Sequence, residues 1–284
     1  MTGCAGFVAP RHLEAIRAVG GTLVAALDPH DAAGILDRYN RETDFFTEPE
    51  RFDRYLHRLR RAGQGIDWLT VCSPNHLHDV HAQMGLRAGA NVICEKPLTL
   101  APWNLDALEE DEQLYGKRVY TVLQCRLLSR IGALKKYLGA QPGPHRVTLD
   151  YVTPRGRWYA HSWKGNVERS GGLITNIGVH MFDLLLWLFG PCEEHRMYER
   201  GDNQARGFLA LKHANVNWRL SLHGEPTRVM AIDGEPMDFN DGFAELHTGV
   251  YEATLAGRGF TIADARPAVT LVHELRNAPV RPGP

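Results

Sequence analysis

A carboxylate and an ammonium meet at Glu95-Lys96-Pro97, directly after the apolar run Asn91-Val92-Ile93-Cys94. The β-branched run reads as a buried strand, and the two charges then lie at its carboxyl end, where open α/β sheets place their ligands. Proline fixes its own φ and restricts the residue before it, so Lys96 is expected on stiff backbone. Such a lysine either stays charged beside Glu95 or is desolvated toward neutrality and exchanges protons. A solvated ion pair at a strand end has the same spelling. The second stretch with chemical content is Gly171 to Asp183, which leads into the apolar Leu184–Phe189 and stops at Gly190-Pro191. Its spacing predicts a helix with Asn176, His180, Asp183 and Trp187 on one face. A histidine near the start of a buried helix suits general acid or base work, and equally a satisfied core position. A third stretch, Thr153 to Gly165, gathers Arg155, Arg157, Lys164, Trp158, Tyr159, Trp163 and Ser162. Cations with aromatics fit an anionic, ring-bearing ligand, or a basic connection between strands.

Those groups need a scaffold, and the first half supplies one in alternating strands and helices. Gly3-Cys4-Ala5-Gly6-Phe7-Val8-Ala9 is similar to a dinucleotide-binding turn, with Ala5 in place of the second glycine. The strand Gly21–Leu27 ends in Asp28, an acid placed to bind ribose hydroxyls and repel a 2′-phosphate, hence NAD rather than NADP; a turn or N-cap role is the alternative. A basic-faced helix over Pro49–Ala62, a strand over Trp68–Cys72, a helix reaching Gly89, a helix over 102–115 and a strand over Val119–Gln124 complete the pattern. Ser73 and Asn75 follow their strand where small and amide side chains lie along a nicotinamide ribose. The alternation predicts a doubly wound parallel sheet, a Rossmann domain over residues 1–125. Only Met1 and Thr2 precede Gly3, so the central first strand is expected to be missing and the core opened there.

Beyond a helix near 129–139 and the loop Gln141-Pro142-Gly143-Pro144 the period changes. Val147, Leu149 and Tyr151 alternate with polar residues, as do Val216, Trp218, Leu220 and Leu222. Phe208–Leu211 and Val229–Ile232 are further strands. Residues 126–284 therefore read as an α+β domain with a mostly antiparallel sheet, solvated or self-associating on one face. Tyr251–Asn277 reads as helical, returning toward the first domain.

The 284 residues allow two domains; 44% hydrophobic and 23% charged content is ordinary for a globular enzyme, and a formal net charge of −1 gives no general case for nucleic acid or membrane binding. Five scattered cysteines without a CxxC pair indicate reduced thiols in a cytoplasmic protein. His76, His78 and His81 are spread over a loop and a helix start without a local carboxylate, so no metal site is expected.

The Gly-rich start, Asp28, Ser73-Pro74-Asn75, Glu95-Lys96-Pro97 and Gly178-Val179-His180-Met181-Phe182-Asp183 together resemble the glucose–fructose oxidoreductase and inositol dehydrogenase family. Ala9-Pro10-Arg11-His12, Arg155-Gly156-Arg157-Trp158-Tyr159, Ser162-Trp163-Lys164-Gly165 and Leu246-His247-Thr248 resemble its branch of bacterial UDP-N-acetylglucosaminuronate 3-dehydrogenases. Leu127 and Leu128 depart from that branch, standing where polar or histidine residues are expected. The resemblance implies NAD-dependent oxidation of the C3 hydroxyl of a UDP-linked uronic acid for surface polysaccharide, in a homo-oligomer, a tetramer, with 2-oxoglutarate as a hydride acceptor in some relatives. It implies Lys96 and His180 as catalytic residues, with either as the base. Cofactor binding falls to Gly3, Gly6, Phe7, Val8, Asp28, Ser73, Asn75, His78, Glu95, Lys96 and Gln124. Substrate binding falls to Arg126, Arg155, Tyr159, Ser162, Trp163, Lys164 and Asn176 beside the catalytic pair. The alternatives are another sugar, a glycosidase that uses NAD transiently and yields no net NADH, and a non-catalytic nucleotide-sugar binder.

Overall fold

The computed structural model describes residues 1–141, 143–238 and 246–283, with the backbone alone at Asp238; Pro142 of the expected loop lies outside them. The chain divides into two compact units, residues 1–124 joined by Leu246–Ala265, and residues 125–238 joined by the chain from Arg266 onward.

In the first unit the Gly-rich turn feeds helix α1 (Ala9–Ala18), with Pro10 in its first turn where no amide partner is needed. Strands β1 (Ala25–Leu27), β2 (Asp44–Phe46), β3 (Trp68–Val71), β4 (Asn91–Cys94) and β5 (Val119–Thr121) are parallel, separated by α2 (Pro49–Arg61), α3 (His78–Arg87) and α4 (Pro102–Tyr115). The gap expected in mid-sheet is not there. Thr2 bridges Leu27 on one side and Val71 on the other, both in parallel. Thr2 N donates to Thr70 O at 2.9 Å, Cys72 N to Thr2 O at 2.9 Å, and Gly3 N to Leu27 O at 2.7 Å. Two residues thus satisfy both neighbouring ladders, since each facing strand is only three or four residues long at this level. Met1 and Cys4 complete a closed apolar cluster with Leu13, Leu23, Ala26, Leu36 and Cys72.

The second unit carries a six-stranded sheet in the order β11-β10-β6-β9-β8-β7: β6 (His145–Val152), β7 (Cys192–Arg200), β8 (Gln204–Leu211), β9 (Ala214–Ser221), β10 (Thr227–Ile232) and β11 (Glu235–Asp238). All pairings are antiparallel except β6 with β9. Alternating burial along β9 turns Val216, Trp218 and Leu220 inward. The outward face carries ion pairs, Arg219–Asp150 and Arg206–Glu199. Helices α5 (Ser129–Gly139), α6 (Trp158–His161), α7 (Val167–Ser170), α8 (Gly172–Asn176) and α9 (Val179–Phe189) belong to this unit. Nearly every residue of α9 is buried. Among the described residues no single helix is long and apolar enough to cross a membrane.

The chain then returns to the first unit with α10 (Leu246–Leu255), which packs on α1, and β12 (Phe260–Thr261), antiparallel to β5. Helix α11 (Ile262–Asn277) is shared between the units, its first turn with the first.

Candidate active site

The Gly-rich turn is shaped by packing against β3. Gly3 has φ +74°, and a Cβ there would fall 2.5 Å from the carbonyl of Cys72, so only glycine fits. Asp28 braces the turn from the end of β1: its Oδ2 accepts from Ala5 N and its Oδ1 from His30 N, both at 3.0 Å. The turn role considered for Asp28 is therefore present, and each oxygen keeps a second lone-pair direction for a ribose hydroxyl. Phe7 is 77% exposed beside it.

After β3, Ser73 and Asn75 are buried. His78 is also buried, with Nδ1 2.7 Å from Pro97 O and Nε2 2.8 Å from Ser73 O, and as a neutral ring it donates to one of the two carbonyls. It ties the loop after β3 to the cis Lys96–Pro97 peptide after β4. Burial lowers its pKa against the pull of those carbonyls. His81 contacts Ser73 Oγ at 2.8 Å, and burial pushes its pKa down to about 4. Gln124, which opens a 3-10 turn three residues after β5 where the expected strand has already ended, keeps a buried Oε1 without a partner among the described residues. A strand–turn–helix with a glycine cradle, an acid at the next strand's end and an orphaned amide oxygen at the carboxyl end of the sheet fit a dinucleotide.

Glu95 is not a solvated partner of Lys96. Its carboxylate is buried, and Oε1 is 3.0 Å from both His12 Nε2 and His247 Nε2, while Oε2 accepts from Lys96 N at 3.2 Å. His12 Nδ1 lies 2.9 Å from the Tyr251 hydroxyl, which is 2.8 Å from Thr70 Oγ1. Burial alone would raise the Glu95 pKa; hydrogen bonds from His12 and His247, with the charge of Lys96, outweigh it and hold it well below the carboxylate range. His12, Glu95 and His247 place donor atoms within 4.8 Å of one another, a separation a metal ion could also use; here Nε2 of both histidines is hydrogen-bonded to Glu95 Oε1. Sequence reading gave His12, Thr70, His247 and Tyr251 no role. The available signal was the i, i+4 spacing of His247 and Tyr251 on a helix.

In the second unit the single helix face expected from Asn176 to Trp187 is broken. Asn176 ends α8, and the segments on either side of Ile177-Gly178 are bent by 44°. Gly178 permits the bend: a Cβ there would lie 2.4 Å from Ile174 O. Asn176 Nδ2 donates to Tyr159 Oη at 2.8 Å, joining the third chemical stretch to the entrance of α9. His180 is half-buried in the first turn of α9. Asp183 faces inward and takes Arg126 at two points, NH2 to Oδ1 at 2.6 Å and Nε to Oδ2 at 3.0 Å. Arg126, expected on a substrate anion, meets a buried carboxylate bidentately through Nε and one terminal nitrogen. Trp187 stacks under Lys135, whose Nζ is 3.9 Å from the ring centroid. A cavity of about 470 Å³ is lined by Tyr159, Lys164, Arg200, Asp202, Asn203 and Arg276 among others. Lys164 lies 4.1 Å from the ring of Trp163, and burial lowers the pKa of Arg276. Arg155 is exposed, and Ser162 caps the turn that carries Lys164.

Comparison with known proteins gives a consistent neighbourhood. The family model described as an oxidoreductase family with an NAD-binding Rossmann fold matches residues 1–122, and its C-terminal alpha/beta domain matches residues 143–225. The crystal structure of the WlbA (WbpB) dehydrogenase from Thermus thermophilus in complex with NAD and alpha-ketoglutarate superposes with a TM-score of 0.98 at 46% identity, covering 100% of this chain and 96% of that one. The same dehydrogenase in complex with NAD and UDP-GlcNAcA gives 0.96 at 46% identity, covering 100% and 95%. A putative UDP-kanosamine synthase oxidoreductase subunit from Amycolatopsis mediterranei is 31% identical over 127 residues, which is 44% of this chain and 35% of that relative's length. On these matches the chain belongs to the Gfo/Idh/MocA oxidoreductase family, an NAD-binding Rossmann domain joined to an alpha/beta domain.

Proposed function

We propose that this protein oxidises the C3 hydroxyl of a UDP-N-acetylglucosaminuronate-type nucleotide sugar to the 3-keto sugar with NAD. The observation that carries the reading is the 46% identity, over the whole of this chain, to a dehydrogenase whose structure holds NAD and UDP-GlcNAcA. His180 takes the C3 hydroxyl proton as base. Lys96 hydrogen-bonds the same oxygen and stabilises the developing alkoxide. NAD, when bound, accepts the hydride from C3. The turn Gly3–Val8, Asp28, Ser73, Asn75 and Gln124 hold that cofactor. The cavity lined by Lys164, Arg200 and Arg276 seats the diphosphate, since its cations meet that charge at short range. Tyr159, Ser162 and Asn176 read sugar hydroxyls or the acetamido group, and Arg155 the carboxylate.

The 3-ketone is the group an amination would consume in building a surface polysaccharide. 2-Oxoglutarate would take up the hydride and a proton and leave as 2-hydroxyglutarate, a reading supported by the alpha-ketoglutarate complex of the Thermus dehydrogenase. Copies of the chain associate as a tetramer through the outer face of the second unit's sheet, in the cytoplasm.

Absorbance of reduced nicotinamide, with NAD and UDP-N-acetylglucosaminuronic acid, with and without 2-oxoglutarate, tests the reaction. NADH, or 2-hydroxyglutarate in its place, is expected; a folded, NAD-binding protein that yields neither is not this dehydrogenase. Lys96→Ala should lower turnover by about a hundredfold or more while leaving NAD affinity near that of the parent. Unchanged turnover removes Lys96 from the chemistry.

A further inference from the structure

Four stretches far apart in sequence converge on the Glu95 carboxylate: α1 through His12, β3 through Thr70, the end of β4 through Glu95 itself, and α10 through His247 and Tyr251. The pattern of protons is directional. Lys96 N–H fixes Oε2 as an acceptor. Oε1 has no proton to give, so both imidazoles present Nε2–H to it. A neutral His12 then carries a lone pair on Nδ1 and accepts from Tyr251, whose oxygen accepts from Thr70. The whole array runs one way, from the threonine and from His247 into the carboxylate. Pinning α10 to α1 needs only apolar contact. Here the pin ends instead on the carboxylate adjoining Lys96.

We propose that His12, His247 and Tyr251 are positioning residues for the reaction: they fix the Glu95 carboxylate, and through its Oε2 the backbone of Lys96, so that a helix from the far end of the chain sets the geometry of the lysine. The proposal rests on the dehydrogenase reading above and deepens it. His247 and Tyr251 stand at i and i+4 on the buried face of α10, so one helix face delivers both ends of the array.

The test uses the full chain with His247→Leu, His247→Gln and Tyr251→Phe, reading NADH formation from UDP-N-acetylglucosaminuronic acid and NAD affinity by calorimetry. His247→Leu leaves a buried carboxylate one donor short and should lower kcat by about tenfold or more, with NAD affinity held within about twofold. His247→Gln, whose amide N–H reaches the same Oε1, should recover most of that loss. Tyr251→Phe should lower kcat by about threefold, since it removes a more distant link. A folded His247→Leu protein with parental kcat overturns the proposal. So does a kcat loss that His247→Gln fails to rescue and that NAD affinity follows, since the carboxylate would then serve the cofactor directly. Should His247→Leu not fold, Tyr251→Phe with parental kcat overturns it as well. A parent protein that makes neither NADH nor 2-hydroxyglutarate fails at the dehydrogenase reading itself, and the proposal falls with it.

Discussion

Glu95 in the first unit and Asp183 in the second are both nearly closed to solvent, with side chains 7% and 3% exposed. They are stabilised in different ways. Asp183 meets a guanidinium that holds its charge at any working pH, in a two-point geometry. Its charge is cancelled on the spot, and the pair clamps α9 to the chain entering α5. Glu95 meets imidazoles that supply hydrogen bonds without a permanent charge, so its own negative charge remains to act on a neighbour, and the neighbour is Lys96. A paired buried charge organises structure, whereas an unpaired one held by neutral donors can also tune chemistry.

The sharpest way to break the contrast is Arg126→Met, which leaves Asp183 buried without its cation. Loss of about 3–5 kcal/mol is expected, read as a shift in the denaturation midpoint. A near-neutral result would mean that solvent reaches the pair. Acid comes next. Burial lowers the pKa values of His12, His78 and His81, the last to about 4. Their folded values lie below the unfolded value near 6.5, so the unfolded chain binds protons first, and stability falls as pH drops from about 6.5 toward 4. His81 alone contributes on the order of 3 kcal/mol across that window. The depressed Glu95 acts lower still: its contribution is complete above the unfolded carboxyl value near 4.3 and disappears only beneath it. Melting curves at pH 8, 6 and 5 should step downward, and a flat profile would deny that these histidines are buried neutral.

Glu95→Gln should cost less than Arg126→Met, about 1–3 kcal/mol, because the histidines still find a carbonyl oxygen while the amide NH2 opposes the Lys96 N–H. Equal losses in urea denaturation would erase the distinction between the two carboxylates. The smallest effect is expected from Tyr159→Phe, which removes the hydroxyl that accepts from Asn176. About 1 kcal/mol of stability should be lost, with a rise in KM for the sugar nucleotide larger than any fall in kcat.

Periodicity made most of this fold legible. Asn91–Cys94 and Trp68–Val71 are apolar runs with one structural reading, and turn residues bounded them. The chemical residues at strand ends were legible for the same reason, because a strand's carboxyl end is a position that sequence order fixes. The single face from Asn176 to Trp187 failed because periodicity counts residues and cannot see the bend that Gly178 allows against Ile174 and Leu220. The ion pair of Arg126 with Asp183 was not legible, since nothing near Arg126 in sequence announces that carboxylate.

The sequence by itself determined the elements, the glycine turn, and the charged pair Glu95-Lys96 at a strand end. It did so because these depend on backbone sterics and local hydrophobic period, which act over a few residues. Only the tertiary structure decided what each charge does. Thr2 closes the middle of a sheet that seemed to lack a strand, because ladder partners on both sides supply what length does not. His12 and His247, far apart in the chain, meet on one oxygen because α10 returns to pack on α1, and no local rule carries that distance.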